Sequence, residues 1–276
     1  MKLNLLVIFL LFPILIFATD TKYLYMKSKA SSDNKVVKVK FGIKSPMLGY
    51  EYYGKRRNLE ENFISHITAK VENRIVLDMS TGPYLREDPV IKYKFKDVSH
   101  SNKIDYIITD NKGYQKEYSF DIKRNNLTQI QLTKKMIPSQ KDSITDYRKL
   151  KPKAWASLTI EEAVTELYGL VKNPIEDKVS LSGPEKNFCD RDIPIHISSD
   201  VDLESLAIFT DKIEQPTVAV FSISSISIID ISLSIKMYKS CTDYSVLVIG
   251  KDRDGKFYKT STKGRIACAD GCGGGG

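Results

Sequence analysis

The sequence has few of the residues on which metal centres and catalytic triads depend. It contains only three histidines, His66, His100 and His196, and they lie far apart in the chain. No Ser-His-Asp arrangement, pair of catalytic carboxylates or phosphate-binding glycine loop stands out. We therefore expect no catalytic residue, no metal site and no bound cofactor, and the pattern does not favour an enzyme.

Long apolar runs are also scarce, because the only one lies at the N-terminus. Residues 3–17, after Lys2, form a run of fifteen residues that is apolar except for Asn4, whereas a membrane-spanning helix needs about 20. The pattern fits a secretory signal peptide cut after Ala18, with an uncleaved anchor as the alternative. We expect a periplasmic protein without a membrane span after cleavage, in a compartment that permits disulfides.

Cysteine and glycine are sparse and unevenly placed. There are four cysteines and 15 glycines, and five of the glycines lie in the last six residues. The chain is 42% hydrophobic and 28% charged, which is typical of globular proteins. This composition argues against a disordered chain, a collagen-like chain and a disulfide-dense miniprotein.

Excess positive charge is confined to the first half of the chain. Residues 20–140 hold 23 basic and 14 acidic side chains, a difference of +9, whereas residues 141–276 hold 18 and 20, a difference of −2. The excess suggests a docking surface for an acidic partner or an anionic ligand. A merely solvated face is the alternative, and no basic-aromatic module points to nucleic acid.

The first half shows repeated alternation of apolar and polar residues. The segments KVVKVKFGIK and VIKYKFK place lysines on one face and apolar side chains on the other. Two further alternating segments flank Asn111-Lys112-Gly113, a hairpin signal, and two more flank Glu72-Asn73. Alternation repeated this often predicts an antiparallel β-sandwich.

The second half begins with a helical pattern and continues with strands. Thr159 and Glu162 form a capping box, and an apolar stripe extends from Ile160 to Leu170 before Asn173-Pro174. Seven short strand patterns follow and suggest an immunoglobulin-like sandwich. The predicted fold class is all-β, with two immunoglobulin-like antiparallel sandwiches and one short helix before the second. The predicted segments are a signal peptide (1–18), a first sandwich (31–125), a linker (126–156), a helix with the second sandwich (157–266) and a flexible arm (267–276).

The cysteines fall into two groups. Cys189 and Cys241 lie in predicted loops at the same end of the second sandwich, which makes a disulfide between them a reasonable hypothesis, contributing about 3 kcal/mol. Cys268 and Cys272 follow the last strand as a C-x₃-C pair, and two thiolates alone do not make a closed zinc site. A Cys268–Cys272 disulfide as a protective state and a reactive thiol on a mobile arm remain as the interpretations, with Cys268 as a candidate regulatory thiol.

Cys272 is the residue that we expect to be functional. It lies between Gly271 and the run Gly273, Gly274, Gly275 and Gly276, and glycines make a thin, adaptable chain. The six residues from Ile266 to Cys272 reach about 20 Å when extended. Such an arm can present its sulfur inside a narrow pocket of another protein, although a disordered terminus or a cloning scar would look similar.

The terminal GCGGGG resembles the C-terminal GGCGG arm of SoxY, the sulfur carrier of periplasmic thiosulfate oxidation. The segments IEEAVTELYG, ESLAIFTDKIEQPTVAVFSI and YSVLVIGKDRDGKFYKTSTKGRIA follow the SoxY order. The first half is similar to the partner protein SoxZ in FGIKSPMLG, in NFISHITAKVENRIVLDMSTGPYLREDPVIKYKFK and in IDYIITDNKGYQKEYSFDIK. The resemblance runs from about residue 33 to the end and suggests a SoxZ–SoxY fusion.

The resemblance implies a carrier whose Cys272 holds the cargo. In that family the c-type cytochrome SoxXA joins thiosulfate to this sulfur, the hydrolase SoxB releases sulfate, and the sulfur dehydrogenase SoxCD oxidises the remaining sulfane where it is present. SoxY and SoxZ pair in the family, so we expect an intrachain version of this pairing. An exported binding or structural sandwich, or a dithiol redox protein using Cys268 and Cys272, is the alternative.

Overall fold

The computed structural model describes residues 24–33, 35–49, 60–98, 101–124, 143–188, 192–237 and 242–267. These residues form fifteen strands and three short helices. The strands of the first half are β1 (Met26–Asp33), β2 (Val36–Ile43), β3 (Ile64–Val71), β4 (Arg74–Thr81), β5 (Val90–Lys96), β6 (Lys103–Asp110) and β7 (Gln115–Arg124). The strands of the second half are β8 (Val179–Ser182), β9 (Lys186–Phe188), β10 (Asp192–Ser199), β11 (Leu203–Thr210), β12 (Thr217–Ser222), β13 (Ser227–Lys236), β14 (Thr242–Asp252) and β15 (Phe257–Ala267).

The strands build two packed layers. Sheet 1 has the order β8-β10-β13-β5-β2-β1, and sheet 2 has the order β7-β6-β3-β4-β12-β11-β14-β15-β9, with a parallel β1–β7 pairing between them. Side chains of both sheets and of both halves of the chain belong to one hydrophobic core, for example Phe41, Tyr106, Leu206 and Leu233. The all-β fold class predicted from the alternation is confirmed, and the immunoglobulin-like topology stays a prediction.

The predicted hairpins are present and have the backbone conformations that tight turns need. Glu72 and Gly113 have φ values of 56° and 85°, and Gly255, between β14 and β15, has a φ of 82°. A positive φ suits glycine, which has no Cβ to clash. These turns set the register of three antiparallel pairs, β3–β4, β6–β7 and β14–β15.

The two halves of the chain join edge to edge in both layers. In sheet 2, β12 pairs with β4, with Ala219 opposite Thr81. In sheet 1, β13 pairs with β5, with Ser232 opposite Lys92. The two predicted sandwiches therefore continue into each other through main-chain hydrogen bonds, which sequence periodicity does not reveal. The segment boundaries predicted above remain predictions.

The prediction of a single helix is wrong. The structure has three helices in its described part: α1 (Tyr147–Leu150), α2 (Pro152–Ala156) and α3 (Ile160–Tyr168). The first two fall within the segment interpreted as a linker, where the turns are too short to show a helical period. Helix α3 also ends earlier than predicted, because Gly169 caps it with a φ of 76° and leaves Leu170 73% exposed.

The capping box of α3 is present, but its second hydrogen bond has a different backbone donor from the one expected. The Thr159 hydroxyl accepts from the Glu162 N–H at 3.2 Å, as predicted. The Glu162 carboxylate accepts from the Leu158 N–H at 3.2 Å, one residue before the expected donor. Both bonds satisfy backbone donors that the helix itself cannot reach.

The helices cover the outer face of sheet 2 where the two halves meet. Trp155, Ala163 and Leu167 pack against Phe209 and Val220, so β11 and β12 are buried on both faces. Polar contacts attach this layer to both halves. The backbone N–H of Thr145 donates to the Asp78 carboxylate at 2.6 Å, and Thr217 Oγ1 donates to the Ala154 carbonyl at 2.7 Å. No helix in the described part of the chain is long and apolar enough to span a membrane.

Candidate functional site

All of the predicted carrier-site residues lie outside the residues that the structure describes. They are Cys189, Cys241, Cys268, Gly271, Cys272, Gly273, Gly274, Gly275 and Gly276. The described chain ends at Ala267 on β15, five residues before Cys272. The strand ends and side chains that flank these residues form the described part of the site.

Three of the flanking positions meet at one end of sheet 2. Ala267, which precedes Cys268, is the parallel partner of Phe188, which precedes Cys189. Thr242, which follows Cys241, is the antiparallel partner of Ile266. Because β15 lies between β9 and β14, these positions span two interstrand spacings, about 10 Å. Cys189, Cys241 and Cys268 are therefore each adjacent in sequence to a strand residue at this end of sheet 2.

Gly264 is a packing position at this end that the sequence patterns did not single out. Tyr244 of β14 crosses β15 there, and its hydroxyl donates to the Pro184 carbonyl at 2.7 Å. A Cβ on Gly264 would overlap the Tyr244 hydroxyl and lie 2.8 Å from the Pro184 oxygen. Glycine is thus the residue that lets the ring pass over the strand that leads to the arm.

We expect Gly264→Ala to lower the free energy of unfolding by about 1–2 kcal/mol. The end of the Tyr244 side chain can move away, but the Pro184 carbonyl belongs to the backbone and gives way less easily. Urea denaturation of the variant would measure the loss. Gly255→Ala is not a suitable control because of its positive φ, whereas Gly183→Ala meets nothing closer than 3.5 Å and should cost less. An equal loss in both variants would contradict the close packing of Tyr244.

Charged groups of both halves meet at the same end of the second half, in sheet 1. Asp192 begins β10 three residues after Cys189 and pairs with Lys236, the last residue of β13, five residues before Cys241. Arg86 of the first half approaches the Asp192 carboxylate at 3.5 Å. The end of the molecule that carries the cysteine-flanking positions is thus also part of the junction between the halves.

Lys236 is the buried cation of this junction. Its side chain is only 8% exposed, and its ammonium donates to the Met47 carbonyl of the first half at 2.6 Å. Burial lowers the pKa of Lys236 to about 8, against the opposing effects of Glu87 and Asp192. The alternating apolar pattern of β13 predicted a core strand here, and it did not indicate that the strand ends on a buried lysine.

The two histidines that the structure describes have structural hydrogen bonds. His66 Nε2 lies 2.7 Å from the Asp78 carboxylate, and His196 Nδ1 lies 3.0 Å from Ser232 Oγ. His100 lies outside the described residues. Across the described ranges, no three His, Cys, Asp or Glu side chains are grouped so as to hold a metal ion.

Comparison with known protein families gives a match in the first half of the chain. Residues 26–121 match the family model described as sulphur oxidation protein SoxZ. A search of curated proteins found no match.

Several solved structures resemble the chain at low sequence identity. The sulfur carrier protein SoxY from Chlorobium limicola f thiosulfatophilum is 20% identical, with 41% of this chain and 96% of that chain covered and a TM-score of 0.34. The chicken interferon gamma receptor alpha chain is 9% identical, with 88% and 98% covered and a TM-score of 0.23. A Ca²⁺-stabilised adhesin of an Antarctic bacterium is 6% identical, with 88% and 48% covered and a TM-score of 0.22. The match to the sulphur oxidation protein SoxZ family is thus confined to residues 26–121, about a third of the chain.

Proposed function

We propose that this protein is a sulfur-compound carrier that holds thiosulfate-derived sulfur on Cys272 and presents it to Sox enzymes. The observation that carries the proposal is the SoxZ match of residues 26–121 in the same chain as a half that ends in GCGGGG. The edge-to-edge pairing of the two halves supports it, because it gives the arm a single docking body. The chain itself is then acted on by its partners and is not an enzyme.

The proposed chemistry begins with an oxidative coupling. The Cys272 thiolate and thiosulfate form a new S–S bond, giving Cys–S–S–SO₃⁻, and the two electrons pass to the c-type cytochrome SoxXA. The hydrolase SoxB then adds water, which releases sulfate and two protons and leaves Cys–S–S⁻. Where it is present, SoxCD oxidises the remaining sulfane. This chain supplies the thiolate, which is the nucleophilic form of cysteine.

The arm has the length and composition that delivery needs. The five residues from Ala267 to Cys272 reach about 17 Å when extended. The glycines on both sides of Cys272 carry no side chains, so the arm is thin enough to enter a deep pocket. We propose that the arm moves between enzymes while the two sheets dock.

An adduct measurement tests the carrier function. The full chain is reduced and incubated with thiosulfate and the oxidising cytochrome, and its intact and peptide masses are then measured. The expected result is one thiosulfate-derived adduct on the peptide that contains Cys272. If no adduct forms while the cytochrome is active on a known carrier, the proposal is wrong, and a Cys268–Cys272 disulfide that forms and breaks in turnover would indicate a dithiol redox protein.

The pairing of the other cysteines is a separate prediction. Cys189–Cys241 stays the pairing predicted from the loop positions. The direct pairing of Ala267 with Phe188 adds Cys189–Cys268 as a second candidate, because the residues that precede these two cysteines are neighbours on adjacent strands. A disulfide needs Cα atoms within about 7 Å, which one interstrand spacing meets more easily than two.

Peptide mapping without reduction distinguishes these pairings. A linked peptide pair that contains Cys189 and either Cys241 or Cys268 is expected, together with a free or modified thiol at Cys272. A free thiol at Cys189 in the purified, oxidised protein would contradict both pairings. Reduction before digestion is the control, since it should remove the linked peptides.

The location of the protein is part of the proposal. We propose export to the periplasm with cleavage after Ala18, where SoxXA, SoxB and SoxCD would act on the arm. Mass measurement of the mature N-terminus in a periplasmic extract tests it. An intact N-terminal run in the membrane fraction would support the uncleaved anchor instead.

A further inference from the structure

Three lysines stand side by side across the outer face of sheet 1. Lys29 of β1 is the direct partner of Lys40 of β2, which is the direct partner of Lys92 of β5. All three side chains are exposed, and neighbouring strands lie about 4.8 Å apart. We call these three residues the lysine ladder. It continues into the second half, where Ser232 of β13 is the partner of Lys92.

The positive charges of the lysine ladder form fewer ion pairs with carboxylates than those of the adjacent row of residues. In the adjacent row, Lys38 lies 3.8 Å from Asp33, and Lys94 forms an ion pair with Asp230. Among the residues that the structure describes, no carboxylate lies within ion-pair distance of the ladder ammonium groups. The ladder lies in an open groove of about 560 Å³ that is also lined by Lys123 and by two carboxylates, Asp121 and Asp230.

This arrangement is unfavourable for the isolated fold. Like charges directly opposite each other on neighbouring strands destabilise a sheet. Lysines on edge strands prevent aggregation, but β1, β2 and β5 each have a paired strand on both sides. Edge protection therefore does not account for the ladder, whereas an anionic surface laid against it would relieve the repulsion.

The geometry points to the lysine ladder as the docking surface for an acidic face of a partner protein. This inference rests on the proposed function, because the partner is an enzyme that acts on the arm. Carboxylates on adjacent strands, or one helical turn apart on a helix, lie about 5–6 Å from each other. This spacing is close to that of the ladder, so each ammonium can meet one carboxylate.

The other anionic partners fit the groove less well. Proteins that bind single-stranded nucleic acid without sequence preference stack bases on aromatic rings, and the exposed side chains lining this groove are lysine, serine and aspartate. Proteins that lie on lipid surfaces insert apolar side chains, and those lining the groove, such as Val39 and Tyr93, are buried. An acidic protein surface needs neither feature.

A charge-reversal variant tests the inference. Lys29→Glu, Lys40→Glu and Lys92→Glu are combined in the full chain. The matched control combines Lys172→Glu, Lys178→Glu and Lys263→Glu, which are exposed lysines of the second half and change the net charge equally. Thermal unfolding by circular dichroism establishes that both variants fold. Binding of a fluorescent polyglutamate peptide is then measured at low and high salt.

We expect the ladder variant to bind the peptide about 10-fold or more weakly at low salt, with the control close to wild type. The difference should shrink at high salt, because screening weakens exposed charge pairs. Equal weakening in both variants would overturn the inference, since net charge alone would then explain binding. Loss of binding to anionic vesicles or to single-stranded DNA, without loss of peptide binding, would also overturn it.

The cytochrome assay separates this inference from the carrier function. With the ladder variant we expect the KM for the carrier to rise about 10-fold while adduct formation at saturation is retained. Absence of an adduct in wild type would contradict the carrier function alone, and the peptide measurement would still decide on the ladder. An unchanged KM in the ladder variant would contradict docking of this enzyme at the ladder.

Discussion

Cys272→Ser is expected to reduce thiosulfate-dependent sulfate release to the background rate and to remove the adduct from the intact mass. Serine has nearly the shape of cysteine, so the fold and the docking surfaces should be unchanged. A hydroxyl at neutral pH is not the strong nucleophile that a thiolate is, and it cannot form the S–S bond on which the adduct depends. The effect should therefore be a loss of turnover without a loss of stability.

Cys268→Ser is the matched control because it alters the other thiol of the C-x₃-C pair. We expect it to keep the adduct on Cys272 and to retain turnover. If the adduct persists in Cys272→Ser and disappears in Cys268→Ser, the attachment site is Cys268. If both variants lose activity and wild type cycles a disulfide between the two residues, the carrier function is wrong and dithiol redox chemistry takes its place.

Lys236 gives the second large expected effect, which is on the pH dependence of stability. Its pKa is about 8 in the folded protein against 10.5 as the ordinary value, because burial disfavours the charged form. Between these values the unfolded chain binds the proton more strongly than the folded protein. The contribution of Lys236 to the free energy of unfolding therefore rises with pH between about 8 and 10.5. Below about pH 8 the full cost of burying the charged ammonium remains.

The size of the effect follows from the difference in pKa. Between pH 7 and pH 10 the contribution of Lys236 to the free energy of unfolding should rise by about 2–3 kcal/mol. Comparison with Lys236→Met isolates it, because methionine is close in volume and does not titrate. Urea denaturation of both proteins at the two pH values measures the difference.

The control for this measurement is an exposed lysine of the same half. Lys263→Met should change the free energy of unfolding by the same small amount at both pH values, since the exposed ammonium of Lys263 stays hydrated in the folded protein. If the difference between wild type and Lys236→Met stays constant from pH 7 to pH 10, then Lys236 is not buried as a cation at the junction. The junction would then have to be looser than its hydrogen bond to Met47 implies.

The all-β class and most strand positions could be predicted because alternation is a local property. Each strand of a half-buried sheet carries its own period of two, as β2 and β5 show with lysines on one face and apolar residues on the other. Hairpins such as the one at Gly113 were equally predictable, because their conformation depends on adjacent residues. The short strand β9 and the helices α1 and α2 are not predicted, since three to five residues are too few to show a period. The longer strand β1 is not predicted either, because its inward positions hold Ala30 and Ser32 and give little apolar alternation.

The sequence by itself determined the two sheet-forming halves, the helix cap at Thr159 and the arm composition around Cys272. Only the tertiary structure decided how the halves join, because pairing of β4 with β12 and of β5 with β13 depends on contacts far apart in the chain. It also placed three lysines in one row and Lys236 against Met47. Strand register and burial are collective properties of the folded chain, so no local pattern contains them.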